Sequence, residues 1–97
     1  MKVVLNNIEY DVIEDYRDCL DKNELQEKLK DVDYFDNYDY ILGDYSYDKL
    51  RLKGFCNDKN KNKNVRNDYA NIKKYIEEYC SYGCKYFILE KKGNTNK

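Results

Sequence analysis

The chain has 97 residues, of which 38 % are charged, a formal net charge of −1, and no histidine, proline or tryptophan. This length allows a single domain. The absence of histidine excludes a Ser-His-Asp triad, a Cys-His pair and any zinc site with imidazole ligands. No run of about 18 apolar residues occurs, so the sequence predicts no membrane span and a protein of the cytoplasm.

The small net charge hides an uneven distribution along the chain. Residues 1–48 carry 14 acids and 5 bases, a net charge of −9, whereas residues 49–97 carry 5 acids and 13 bases, a net charge of +8. Two interpretations stay open. The two halves fold together and attract each other, or the basic half presents a face to an anionic partner.

The first element in the chain is a predicted β-hairpin over residues 2–14. Apolar and polar residues alternate on both sides of the pair Asn6-Asn7. Asparagine tolerates a positive φ, so this pair suits a two-residue turn of type I′.

A helix is predicted next, from about residue 22 to residue 33. Asp21 is placed to cap its first turn, and Glu24 three residues later completes a capping box. Leu25 and Leu29 then fall on one face of the helix, as expected of a segment that packs against a sheet.

A second hairpin is predicted over residues 38–55. Its return strand alternates strictly, which indicates an antiparallel strand with one face in contact with water. Leu50 and Leu52 fall on the apolar face of this strand, opposite Lys49, Arg51 and Lys53. Gly43 and Gly54 indicate either bulges or close approaches of the backbone.

The remaining chain predicts a polar loop over residues 57–67, a helix over 68–80 and a final strand over 84–90. Asn67 or Asp68 caps the helix, and Gly83 is placed to end it. The final strand is apolar at nearly every position, so we expect it to be central and covered on both faces. The helix presents an apolar stripe formed by Ile72, Tyr75, Ile76, Tyr79 and Cys80.

These elements predict an α+β fold. It is a single compact domain over residues 1–92 with the order β-β-α-β-β-α-β, a mostly antiparallel sheet and two helices packed on it. A frayed polar tail is expected over residues 93–97, within a polar stretch that begins at residue 91.

Three segments of the chain carry a resemblance to a known family: residues 38–44 (Tyr-Asp-Tyr-Ile-Leu-Gly-Asp), residues 50–55 (Leu-Arg-Leu-Lys-Gly-Phe) and residues 78–90, which begin Glu-Tyr-Cys. They resemble the YutD-like family of small proteins from low-GC Gram-positive bacteria and their relatives. Ser46 stands where the family has glycine. The resemblance implies a compact α+β domain with no established activity, substrate or cofactor.

The four cysteines offer one candidate chemistry. Cys80 and Cys84 form the single closely spaced pair, whereas structural zinc usually takes two such pairs. A thiol at the C-terminal end of a helix faces the negative end of the helix dipole, which opposes formation of the thiolate. Burial as small hydrophobic side chains is the simpler interpretation, and a thiol-based redox sensor or small enzyme using Cys80 and Cys84 is the alternative.

The predicted function is a non-enzymatic binding or regulatory module that contacts RNA or an acidic protein surface. Arg51 is the leading candidate because its guanidinium can bind a phosphate at two points. A homodimeric interaction protein is a further alternative. No catalytic residue, metal site or cofactor is predicted. The predicted binding residues are Gly43, Asp44, Tyr45, Tyr47, Arg51 and Lys53, with Lys85 as an additional charge from the last strand.

Overall fold

A computed structural model describes residues 2–30, 34–79 and 84–94, and within them five strands form one antiparallel sheet. The strand order is β1-β2-β5-β3-β4, so β1 and β4 form the edges and β5 lies at the centre. Short 3₁₀ turns occupy Tyr34–Asn37 and Tyr69–Asn71. The strands and helices are β1 (Lys2–Leu5), β2 (Ile8–Tyr16), α1 (Lys22–Leu29), β3 (Tyr40–Ser46), β4 (Lys49–Phe55), α2 (Ile72–Tyr79) and β5 (Tyr86–Asn94). This order confirms the predicted fold class.

Both hairpins turn through two residues with positive φ. Asn6 and Asn7 have φ values of 53° and 68°, which confirms the predicted turn between β1 and β2. The second hairpin turns at Tyr47 and Asp48, with φ values of 52° and 63°. Turns of this kind match the right-handed twist of the strands they join.

Helix α1 starts as predicted and ends early. The Asp21 carboxylate accepts hydrogen bonds from the backbone N–H groups of Asn23 and Glu24 at 3.0 and 3.1 Å, which confirms the cap. The helix ends at Leu29 because Lys30 turns to an extended ψ of 128°. The prediction that the helix continues past Leu29 is therefore wrong at Lys30, and residues 31–33 lie outside the described residues.

Strand β5 divides the core into two clusters. Phe87 and Leu89 pack with Leu25 on the α1 side of the sheet, and Ile88 packs with Ile72 on the α2 side. The three β5 side chains are at most 1 % exposed. The prediction that the last strand is central and covered on both faces is confirmed.

The last strand lies later in the chain than predicted. It begins at Tyr86, and its end pairs with β2 through Gly93 opposite Glu9 and Asn94 opposite Ile8. The expectation of a polar tail from residue 91 is therefore wrong for residues 91–94. The reason is that β2 has nine residues and supplies partners for eight of the nine residues of β5, all except Lys92.

Helix α2 follows a 3₁₀ turn that Asp68 caps by accepting a hydrogen bond from the Ala70 N–H at 3.0 Å. Of the two predicted capping residues, Asn67 and Asp68, Asp68 is therefore the cap in the structure. Tyr79, predicted to lie on the apolar stripe, is 59 % exposed because α2 covers a cluster of only a few buried residues. Cys80 and Gly83 lie outside the described residues.

Candidate functional site

Arg51 and Asp44 lie opposite each other in β4 and β3 and form an ion pair with two hydrogen bonds. The guanidinium donates from Nε to Oδ1 at 3.0 Å and from Nη2 to Oδ2 at 2.6 Å, and Nη2 lies 3.4 Å from the carbonyl oxygen of Tyr79. Asp44 is 4 % exposed. Two predicted binding residues therefore bind each other, and the Arg51 guanidinium is already engaged by the Asp44 carboxylate.

Lys53 lies on the same face of β4, two residues beyond Arg51. Its ammonium is 5.3 Å from the ring centre of Phe55 and 5.4 Å from that of Tyr75, within cation–π range. The sequence predicts this face to be in contact with water, but Phe55 on the same face is fully buried. The prediction is wrong at that end of the strand because α2 packs over it.

Tyr45 lies on the opposite side of the sheet, where it connects β3 to α1. Its hydroxyl donates to the Glu24 carboxylate at 2.6 Å and lies 3.4 Å from the carbonyl oxygen of Cys19. Burial, reinforced by Glu24, raises the pKa of this phenol. The Lys85 ammonium lies 4.7 Å from the Tyr45 ring centre, so Lys85 does not join Arg51 as predicted.

Gly43 and Tyr47 are the two remaining predicted binding residues. A Cβ atom added at Gly43 would lie 2.1 Å from Cζ of Phe87, so the glycine serves a close approach of that ring. Tyr47 is in the hairpin turn and is 96 % exposed. The structure thus groups Asp44, Arg51 and Lys53 on one face, and it places the other predicted residues elsewhere.

A groove of about 560 Å³ opens between β4, the end of the polar loop and α2, and we call it the β4–α2 groove. Its apolar lining consists of Phe55, Val65, Tyr75 and Tyr79. Tyr75 meets Phe55 edge to face at 5.6 Å and stacks on Tyr79 at 4.6 Å between ring centres. Val65 and Tyr79 are largely exposed, so the groove offers apolar and aromatic surface to solvent.

Three cations surround this surface. Lys53, Arg66 and Lys74 line the β4–α2 groove together with a single acidic residue, Glu78. Within residues 2–30, 34–79 and 84–94, none of the three cations lies within ion-pair distance of a carboxylate. A groove that combines the exposed side chains of Val65 and Tyr79 with an excess of positive charge is suited to an anionic ligand that also carries apolar groups.

Asparagine side chains hold the loop that forms one wall of the groove. The Asn71 amide donates to the carbonyl oxygen of Val65 at 3.3 Å, and the Arg66 N–H donates to the side chain of Asn64 at 2.9 Å. Asn67 is buried and accepts a hydrogen bond from the Asn64 N–H at 2.7 Å. These bonds fix Val65 and Arg66 beside α2.

Sequence reasoning missed Lys74, Tyr75 and Tyr79 as site residues. It assigned the two tyrosines to the core because they recur at helical spacing with Ile72. One signal was present in the sequence: Val65 is the single apolar residue in a polar loop of eleven residues, 57–67. Single apolar residues are common on protein surfaces, so this signal by itself did not identify the groove.

The described cysteines are free thiols with different surroundings. Cys56 is fully buried, and burial raises its pKa. Burial and the Asp15 carboxylate raise the pKa of Cys19 to about 11. Cys84 is half-buried, and Cys80 lies outside the described residues, so the structure places one member of the predicted redox pair.

The described part of the chain contains no group of three His, Cys, Asp or Glu side chains close enough to hold a metal ion. Among its helices, none is long and apolar enough to cross a membrane.

Comparison with known proteins identifies the family. A family model described as "Putative antitoxin YutD-like" matches residues 4–90. The protein named "Putative antitoxin YutD" from Bacillus subtilis (strain 168) is 33 % identical over 89 residues, which cover 92 % of this chain and 96 % of that protein. The solution NMR structure of protein yutD from B. subtilis superposes with a TM-score of 0.74 at 32 % identity, covering 95 % of this chain and 82 % of the other. This chain therefore belongs to the YutD-like family.

Proposed function

We propose that this protein is a non-enzymatic binding module of the cytoplasm whose β4–α2 groove holds an acidic segment of a partner protein. The observation that carries the proposal is the set of three cations, Lys53, Arg66 and Lys74, around a groove in which Val65 and Tyr79 are exposed. The free thiols of Cys19, Cys56 and Cys84 fit a reducing compartment.

Several features favour a protein over RNA as the partner. The net charge of the whole chain is −1, which gives no general attraction for a polyphosphate. Glu78 lies in the groove itself, and Val65 offers an aliphatic contact that a nucleotide backbone does not need. The B. subtilis relative is named an antitoxin, and that name, carried over to this chain, also favours a partner protein.

The residues predicted from the sequence take altered roles in this proposal. Lys53 contacts the partner directly, because it lines the groove. Arg51 positions the end of the groove by holding Asp44 and approaching the Tyr79 carbonyl. Tyr75 replaces Tyr45 and Tyr47 as the aromatic contact.

A matched pair of charge reversals tests the proposal. Arg66→Glu with Lys74→Glu reverses two exposed cations of the groove, and Lys59→Glu with Lys61→Glu makes the same change in net charge on exposed loop residues. The probe is the peptide Glu-Glu-Phe-Glu-Glu-Leu-amide with fluorescein on its N-terminus in place of an acetyl group, followed by fluorescence anisotropy. We expect the groove variant to weaken binding by about tenfold or more and the loop variant to leave it nearly unchanged.

The same proteins are titrated with a labelled single-stranded oligouridylate. Tighter binding of this RNA than of the acidic peptide, lost in the groove variant, would assign the groove to nucleic acid and overturn the proposal. Equal weakening of peptide binding by both variants would also overturn it, because only overall charge would then matter.

A further inference from the structure

Strand β4 is an unpaired edge of the sheet in the described part of the chain. It ends the strand order, and its inner side pairs with β3 through all seven residues from Lys49 to Phe55. The opposite edge strand, β1, has only four residues. The outer side of an edge strand presents backbone N–H and C=O groups that can pair with another strand.

Lys49 and Arg51 on β4 are exposed. A second cavity, of about 340 Å³, lies on the α2 side of the sheet, because Leu42 and Asp44 of β3 and Tyr75 of α2 line it together with four consecutive residues of β4. The four consecutive residues are Arg51, Leu52, Lys53 and Gly54. Lys53 and Tyr75 line both this cavity and the β4–α2 groove, so the two spaces adjoin at these side chains.

The charges on β4 select the strand that can pair there. Lys49, Arg51 and Lys53 alternate along the strand and share one face. Pairing with a second copy of β4 would place cations opposite or diagonal to cations, which is unfavourable. Edge lysines are a common protection against such self-pairing. An incoming strand with carboxylates at alternate positions would instead place opposite charges side by side.

We propose that the partner segment binds as an added antiparallel or parallel strand on the outer edge of β4, with acidic residues at alternate positions. Its carboxylates lie beside Lys49 and Lys53, while Arg51 keeps its ion pair with Asp44. Its other side chains lie beside half-buried Leu52. This inference rests on the proposed function, since the added strand leads into the β4–α2 groove. Backbone hydrogen bonds would supply affinity, and the alternating side chains would supply specificity.

N-methylated peptides test the strand pairing. The probe is acetyl-Thr-Glu-Val-Glu-Val-Glu-Thr-amide, compared with one analogue N-methylated at its three glutamates and another at its two valines. In an added strand only one of these alternate sets of N–H groups points to β4. We therefore expect amide chemical shifts centred on residues 49–55 and a loss of affinity of about tenfold or more for one analogue only.

The outcomes separate this inference from the proposed function. Equal affinity of the parent peptide and both analogues would overturn strand addition and leave the charge-reversal test of the groove unaffected. The absence of binding at millimolar peptide would overturn strand addition as well. Lys49→Glu, outside the groove, should weaken the strand peptide but not the groove peptide, and Lys61→Glu is its control with the same charge change.

Discussion

Arg51 and Asp44 form a two-point ion pair across β4 and β3, with donor–acceptor distances of 3.0 and 2.6 Å. Arg51 belongs to the basic half of the chain and Asp44 to the acidic half. Lys73 with Glu14 and Lys92 with Asp11 also join the two halves. The uneven charge distribution therefore serves, in part, to hold the halves together, and within the described part of the chain the cations of the β4–α2 groove are among those that take no part in this pairing.

Removal of the Arg51 side chain should destabilise the fold. Arg51→Ala leaves the Asp44 carboxylate, which is 4 % exposed, without its two-point partner. We expect a loss of roughly 2 kcal/mol in the free energy of unfolding, measured by urea denaturation. Lys49→Ala, on the same face of β4 and exposed, should change it by less than about 0.5 kcal/mol. Equal effects of the two variants would contradict the structural role of the pair.

A methyl group at Gly43 should be more costly than one at Gly54. The new Cβ would lie 2.1 Å from the Phe87 ring at Gly43 and 2.3 Å from the Tyr38 ring at Gly54. Phe87 is fully buried at the centre of the sheet, whereas Tyr38 is half-buried and has more room to move. Gly43→Ala should therefore lower the thermal midpoint more, with a cost of about 3 kcal/mol or more.

Adding Phe87→Leu to Gly43→Ala provides a check on the cause. The smaller side chain removes the clashing ring atoms, so the double variant should lose less stability than the sum of the two single variants. Additive losses would show that the contact between Gly43 and Phe87 is not the reason for the glycine.

Stability should fall in acid partly through Glu14. Burial alone would raise the pKa of this carboxyl, but hydrogen bonds from Lys73 and Tyr86 outweigh burial and lower it. A carboxyl whose pKa is lower in the folded state stabilises the fold above its unfolded pKa of about 4.3 and loses this contribution as pH falls through the folded value.

Tyr86→Phe removes one of these hydrogen bonds. We expect a loss of about 1 kcal/mol in the free energy of unfolding at neutral pH and a smaller difference from the natural protein near pH ~3, measured by urea denaturation. Tyr16→Phe is the control, because the Tyr16 ring stacks on the Tyr86 ring at 5.3 Å between ring centres. If the difference in the free energy of unfolding between Tyr86→Phe and the natural protein grew in acid, this role of Glu14 would be contradicted.

The thiols should differ in reactivity in the native protein. Cys56 is fully buried, and the pKa of Cys19 is raised to about 11, so both should resist a disulfide reagent at neutral pH until the protein unfolds. In the Cys80→Ser variant, we expect Cys84 to be the first thiol that reacts with the reagent. Adding Cys84→Ser to this variant should abolish the early phase of the reaction. Fast reaction of Cys19 or Cys56 would contradict these environments.

Local signals in the sequence predicted local structure well. The Asn6-Asn7 turn follows from a backbone preference of asparagine, and the Asp21 cap follows from the four unpaired N–H groups at a helix start. The central position of β5 follows from its continuous apolar run. Each depends on residues close together in the chain.

The residues of the β4–α2 groove come from elements that are far apart in the chain. The sequence did not show how these elements pack against each other. Lys53 and Lys74 belong to one groove because α2 lies over the end of β4, and no local pattern specifies that placement. Tyr75 at helical spacing looks the same whether it is buried or lines a groove. Arg51 looked available for a ligand because its partner, Asp44, lies on the neighbouring strand.

The most direct test of the account is an NMR titration of the isotope-labelled protein with acetyl-Glu-Glu-Phe-Glu-Glu-Leu-amide. If the β4–α2 groove holds acidic segments, the largest amide shifts will fall at its lining residues on α2 and β4, such as Phe55, Lys74 and Tyr75, and will disappear with Arg66→Glu and Lys74→Glu. Largest shifts on α1 or β1, or shifts that persist in that variant, would contradict the claim.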